Sequence, residues 1–217
     1  MTISQVSAKI DLRLNKSASG DYDNIWSYSK QEAFYKATLE WVRRQVRGKN
    51  ATQEGDEESL ARIDDLQILL VRDSLRLKKK KEFYETESLP SDYLYFKRIT
   101  PYCSKNTCSN VSITSYLSEE ANVDLMRGVP SFEFEETFHV ISGNKIRIYF
   151  SDFDIDKVEF VYFRKPIFYN FKQLDKVVEF KDDICELLID EACKILASDI
   201  ESVNQKNLTQ ERVETNN

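Results

Sequence analysis

Glycine and proline are scarce in this sequence, 5 and 4 residues in a chain of 217. The glycine-rich turns that cradle phosphates have little raw material here, and neither a G-x-G-x-x-G nor a Walker-type stretch occurs. Histidine is scarcer still, with His139 alone. It falls among apolar residues on an expected strand, so a structural role is expected of it rather than service as the base that a Ser or Cys nucleophile needs. The four cysteines, Cys103, Cys108, Cys185 and Cys193, follow no secretion signal and are expected as reduced thiols. Cys103 and Cys108 lack the spacing and partner ligands of a zinc site. No apolar run reaches bilayer length, and the start Met1-Thr2-Ile3-Ser4-Gln5 lacks the basic-then-apolar order of a signal peptide. A soluble chain made in a cytoplasm, with no membrane partner, is the expectation. A surplus of positive charge is also lacking: 31 Lys+Arg stand against 37 Asp+Glu, net −6. That balance argues against a surface dedicated to neutralising nucleic-acid phosphates, local basic patches aside.

Apolar and aromatic material is plentiful. Hydrophobic residues are 41% of the chain, with 13 Phe and 11 Tyr, enough for one generous domain with extensions. Residues 1–28 read as an N-terminal arm: the spacing allows a short helix over Thr2–Leu14, followed by the turn-rich Ser17-Ala18-Ser19-Gly20-Asp21. Ser29-Lys30-Gln31-Glu32 has the form of a capping box, and Phe34, Ala37 and Trp41 follow at helical spacing, which predicts a helix over 29–47. A second helix is expected over 56–81, where Leu60, Ile63, Leu66, Leu70 and Leu77 recur every three to four residues, making a helical hairpin with the first.

Strands rich in β-branched and aromatic residues are expected over 93–100, 111–117, 132–142, 145–150 and 158–164, a β region of 93–165. Its clearest hairpin turns at Gly143-Asn144. A helix is expected over 182–203 on the stripe Ile184, Leu187, Leu188, Ala192, Ile195 and Leu196, and 204–217 form a polar tail too poor in apolar residues to fold alone. The domain of 29–203 is thus α+β: a helical hairpin and a long C-terminal helix packed with a mostly antiparallel β region, with extended terminal arms.

Three clusters invite chemistry. Asp21, Asp23 and Asn24 resemble the opening of a calcium loop, but no glycine follows at the required position, and turn formation is the better reading. Asp152, Asp154 and Asp156, with Glu159, resemble half of a two-metal nuclease cluster; a solvated loop between strands is favoured over it. Lys78, Lys79, Lys80 and Lys81 form a basic run at the end of the expected second helix, where cations relieve the helix dipole; contact with DNA in a channel, or with an acidic partner, is the sharper alternative.

Several stretches resemble the head-to-tail connector ring (adaptor) proteins of crAss-like, short-tailed bacteriophages: DLRLNK (11–16), DYDNI (21–25), KQEAFYKATLEWVRRQ (30–45), GDEESLARIDDLQILL (55–70), SDYLYFKR (91–98), PSFEFEETFHVISGNKIRIY (130–149) and EFKDDICELLIDEACKILASDIE (179–201). They span nearly the whole chain. The resemblance implies a virion protein of the neck, a ring homo-oligomer that is twelve-fold in the family. It also implies portal, connector or tail proteins as partners, genome DNA passing through without specific binding, and neither cofactor nor catalytic residues. A closed ring needs two different complementary faces on each subunit. Trp26 and Tyr28 in the N-terminal arm and Leu208 and Arg212 in the tail are the interface residues expected. The rival classes are a metal-dependent nuclease or other DNA-processing protein built on the aspartate cluster, and a nucleic-acid-binding regulator.

Overall fold

The computed structural model describes residues 1–17, 25–47 and 64–214. They divide into two units: Met1–Ile68 with Pro166–Asn217, and Leu69–Lys165 inserted between them in the chain.

The first unit is helical, with α1 (Ile3–Ser17), α2 (Ser27–Arg47) and α3 (Asp182–Glu214). Both α1 and α2 pack against α3. Ile3, Val6, Ile10 and Leu14 repeat at helical spacing and are buried, as are Ala33, Phe34, Ala37 and Val42 of α2 and Ile184, Leu188, Ile189, Ala192 and Leu196 of α3. Charge fixes the register. Lys9 and Arg13 of α1 both pair with Glu186 of α3, and Arg13 reaches Asp190 at 2.9 Å. Lys30 of α2, nearly buried, is held by Asp11 of α1 at 2.6 Å, so its charge is compensated where water is scarce. The irregular stretch before α3 lays aromatic rings on α2, with Phe171 on Phe34, Phe168 on Tyr35 and Phe180 edge-on to Trp41 at 5.4 Å.

The second unit is built of strands β1 (Leu70–Leu75), β2 (Leu77–Lys79), β3 (Phe83–Thr86), β4 (Tyr93–Lys105), β5 (Cys108–Ser112), β6 (Thr114–Leu117), β7 (Glu136–Ser142), β8 (Lys145–Tyr149) and β9 (Asp154–Arg164). One sheet has the order β1-β9-β4-β5 and the other β2-β3-β8-β7-β6. The near-continuous path β1–Arg76–β2 serves both sheets, pairing first with β9 and then with β3. Residues of both sheets build one core: Ile99, Cys103, Val158, Phe160 and Tyr162 from the first, Tyr84, Ile146 and Ile148 from the second. On the second sheet the alternate residues Phe138, Val140 and Tyr149 face the other way and are covered by Val123 and Met126 of the short helix Val123–Met126 and by Val129. Phe138 and Tyr149 stack there at 4.4 Å and 8°. Ser142 pairs with Lys145, so Gly143 and Asn144 form the expected two-residue turn; Gly143 at φ 60 takes the position that a side chain rarely tolerates.

The α+β class, a hairpin-like pair of N-terminal helices and the long C-terminal helix hold, but the expected pairing of 29–47 with 56–81 and several other expectations change. The expected helix over 56–81 is present in its described part only as residues 64–66. Residues 67–69 form a 3-10 turn, and β1 and β2 follow; residues 56–63, and the calcium-like Asp21, Asp23 and Asn24, lie outside the described residues. The cause is a period shared by two structures: Val71, Leu75 and Leu77 all pack on the sheet core as a two-residue alternation requires, and pairing with β9 decides between the patterns. The helical hairpin is therefore α1 and α2. Within the expected arm of 1–28, residues 3–17 are helix, because the four apolar residues of α1 make a complete stripe that α3 buries. Ser29 lies inside α2, which begins two residues before the capping-box serine. The tail of 204–217 continues α3 as far as Glu214, there being no glycine or proline to stop it.

Candidate functional site

Two surfaces gather the residues singled out by sequence. The first lies at the N-terminal end of α2. Trp26 is 80% exposed and Tyr28 65% exposed, and both line an open groove of about 400 Å³ whose far wall is Leu196 and Asp199 of α3, with Ile25, Ala33 and Lys36 completing it. Tyr28 donates a hydrogen bond to Glu32 one turn on, and the carboxylate's charge holds the phenol above its usual range. The groove is therefore apolar with a polar margin. Leu208 and Arg212 fall on the last turns of α3; their side chains lie outside the described residues.

The second surface surrounds the start of β9. Sequence places Asp152, Asp154 and Asp156 in alternation, and the structure separates their partners. Asp152 pairs with Lys105, whose ammonium holds the carboxyl below the ordinary range. Asp154 pairs with Lys79 and accepts the Tyr84 hydroxyl at 2.8 Å, which lowers it likewise. Asp156 accepts the Ser104 hydroxyl at 3.1 Å. The cleft of about 490 Å³ beside them is lined by Lys79, Lys105, Asn106 and Phe150 as well as Asp152 and Asp154. Two lysines thus bond to carboxylates that a divalent cation would need as ligands. No group of three or more His, Cys, Asp or Glu side chains converges as metal ligands do among the described residues.

Lys78 and Lys79 end β2, and Lys80 and Lys81 form the turn into β3. The helix dipole expected to compensate them is absent, because the run sits on a β-hairpin. Lys79 also stands over the rings of Tyr84 and Phe150, at 5.6 and 5.2 Å.

His139 is 1% exposed, on the face of β7 that meets Phe96 of β4 at 5.2 Å. Its Nδ1 is 2.8 Å from the Ser115 hydroxyl, and burial pushes it down to about 4. No Cys is a partner to it, and burial pushes the thiols up: Cys103 to about 12, Cys185 and Cys193 to about 11. Neither models of known protein families nor curated proteins include a match to the chain.

Sequence reasoning found the exposed aromatics and the lysine run by residue type. It missed the α3 wall of the groove and the lysine partners of the aspartates, because both come from distant segments brought together only by packing.

Proposed function

We propose that the chain is a non-enzymatic structural subunit of a tailed-phage virion, one copy in a ring of the head-to-tail connector. The ring would stand between portal and tail as a conduit for genome DNA. The observation that carries this reading is the exposure of Trp26 and Tyr28 beside an apolar groove. Large aromatic side chains are the commonest anchors of protein interfaces, and leaving a tryptophan in water forgoes the burial that a neighbouring subunit would supply. The stretches that resemble connector proteins of crAss-like phages give the assembly its identity and the twelve-fold expectation. The aspartates favour this reading over a nuclease, since Asp152 and Asp154 are each paired with a lysine of their own chain and Asp156 accepts the Ser104 hydroxyl.

The test is assembly. Wild-type subunit, a Trp26→Ala/Tyr28→Ala variant and a variant lacking 204–217 are mixed with the portal of the same phage and examined by native mass spectrometry. The expected outcome is a closed ring on the portal for the wild type and sharply reduced ring formation for the aromatic variant, with the same thermal melt. Normal ring formation by that variant would remove Trp26 and Tyr28 from the interface; a wild-type chain that stays monomeric beside the portal would end the connector reading.

A further inference from the structure

The β2–β3 turn carries more positive charge than its ion pairs take up. All four of its lysines are exposed. Lys79 is committed to Asp154, which ties the hairpin to β9, and the turn itself is closed by the Lys80 N–H donating to the Phe83 carbonyl at 2.9 Å. Four carboxylates of the same unit are paired with cations outside the lysine run. Asp152 has Lys105, Glu82 has Arg127 at 3.3 Å, Glu120 has Arg147 at 2.9 Å, and Glu85 has Lys145 at 3.0 Å. Lys78 stands directly across from Glu85 in the strand register, yet that carboxylate is paired with Lys145, with Arg147 at 3.8 Å, and it feels the charge of Lys80 without forming an ion pair with it. Among the described residues, Lys78, Lys80 and Lys81 are left without an ion-pair partner.

Which ligand gains most from three such ammonium groups follows from their chemistry. They are flexible point charges without the planar fork that reads a single carboxylate or base edge, so they favour density of negative charge over geometry. The two-residue rise from Lys78 to Lys80 is about 7 Å along the strand, a length over which duplex DNA presents on the order of four phosphates. A polyanion also releases condensed counterions when lysines approach, a gain that an acidic protein surface does not offer. We propose that the β2–β3 turn, through Lys78, Lys80 and Lys81, is a sequence-independent contact for the phosphate backbone of duplex DNA. The inference rests on the connector reading for the presence of DNA and deepens it. Contacts of this kind carry no sequence information and let the duplex slide, and on a chain of net charge −6 they are the local exception to general repulsion.

The test is fluorescence anisotropy of the full chain with a short labelled duplex, across salt. Three phosphates neutralised give a log–log salt slope of about −2.7, so affinity is expected to fall roughly 40-fold between about 50 and 200 mM salt. A Lys78→Gln/Lys80→Gln/Lys81→Gln variant with unchanged circular dichroism should bind at least tenfold more weakly at the low end and lose most of that slope. AT-rich and GC-rich duplexes should bind alike. The inference is overturned if the variant matches the wild type, if the wild type ignores duplex at low salt, or if a poly-glutamate peptide binds the turn more tightly than duplex does. Failure here is separable from failure of the ring: a ring that seats on its portal and ignores duplex removes the lysine contact alone, whereas a monomer that binds duplex through these lysines removes the ring alone.

Discussion

Replacing Ile10 by alanine tests whether residues 3–17 belong to the core of the helical unit. Ile10 is fully buried on the stripe that α1 presents to α3, and its carbonyl lies 3.8 Å from the Cys193 sulfur of α3. Truncating a buried isoleucine costs the transfer of the lost methylenes plus the cavity left behind, about 2–5 kcal/mol. Against a total of roughly 5–15 kcal/mol for a folded domain, that is a large fraction. The chain supplies its own reporter: its 2 tryptophans, Trp26 and Trp41, both lie in the helical unit. Trp41 packs edge-on to Phe180, so its emission follows the integrity of that unit alone. With a urea m-value of about 2 kcal/mol/M, a loss of about 3 kcal/mol moves the fluorescence midpoint by about 1.5 M. Leu12, two residues away but 58% exposed, is the control, and Leu12→Ala is expected within about 0.5 kcal/mol of wild type. If Ile10→Ala and Leu12→Ala unfold at the same urea concentration as wild type, residues 3–17 are not part of the core and the packing of α1 on α3 is wrong.

His139 makes stability depend on pH in a defined window. Its folded value is lowered from 6.5 to about 4 by burial, so the unfolded chain takes up the proton first. Stability is flat above about pH 6.5, then falls as pH drops toward about 4, by about 3 kcal/mol in full. His139→Gln should remove this component, and parallel pH profiles for the two proteins between pH 6.5 and 5, by urea titration with far-ultraviolet circular dichroism, would refute it. Nuclease assays with magnesium and manganese are expected to show no cleavage; a cleavage activity abolished by Asp152→Ala/Asp154→Ala/Asp156→Ala would put the enzymatic reading first.

Local signals in the sequence were legible where they had one physical meaning. Gly143-Asn144 between alternating strands specifies a two-residue turn, and the apolar stripe of Phe34, Ala37 and Trp41 fits only a helix. The signal failed where two structures share a pattern: Leu66, Leu70 and Leu77 suit a helix, while Val71, Leu75 and Leu77 suit a strand, and only the distant partner β9 chooses. Pairing between remote segments was not legible at all. One expected strand over 111–117 divides at Ile113 into β5, antiparallel to β4, and β6, parallel to β7. Strand β4 runs through Pro101, which gives up its own N–H but still accepts from Ile113 at 2.9 Å. The aromatic groove was half legible, since Trp26 and Tyr28 stand out by type whereas Leu196 and Asp199 look like ordinary helix positions. The lysine run was visible as charge, but which of its members are already neutralised depends on acids far away in sequence.

The strand that opens the inserted unit and the strand that closes it are antiparallel neighbours, Leu70 standing opposite Phe163. The chain therefore enters and leaves the β unit at points about 5 Å apart, close enough for a residue or two to bridge. The β unit thus begins and ends on neighbouring strands of one sheet, so both of its junctions with the rest of the chain lie at one place on its own surface.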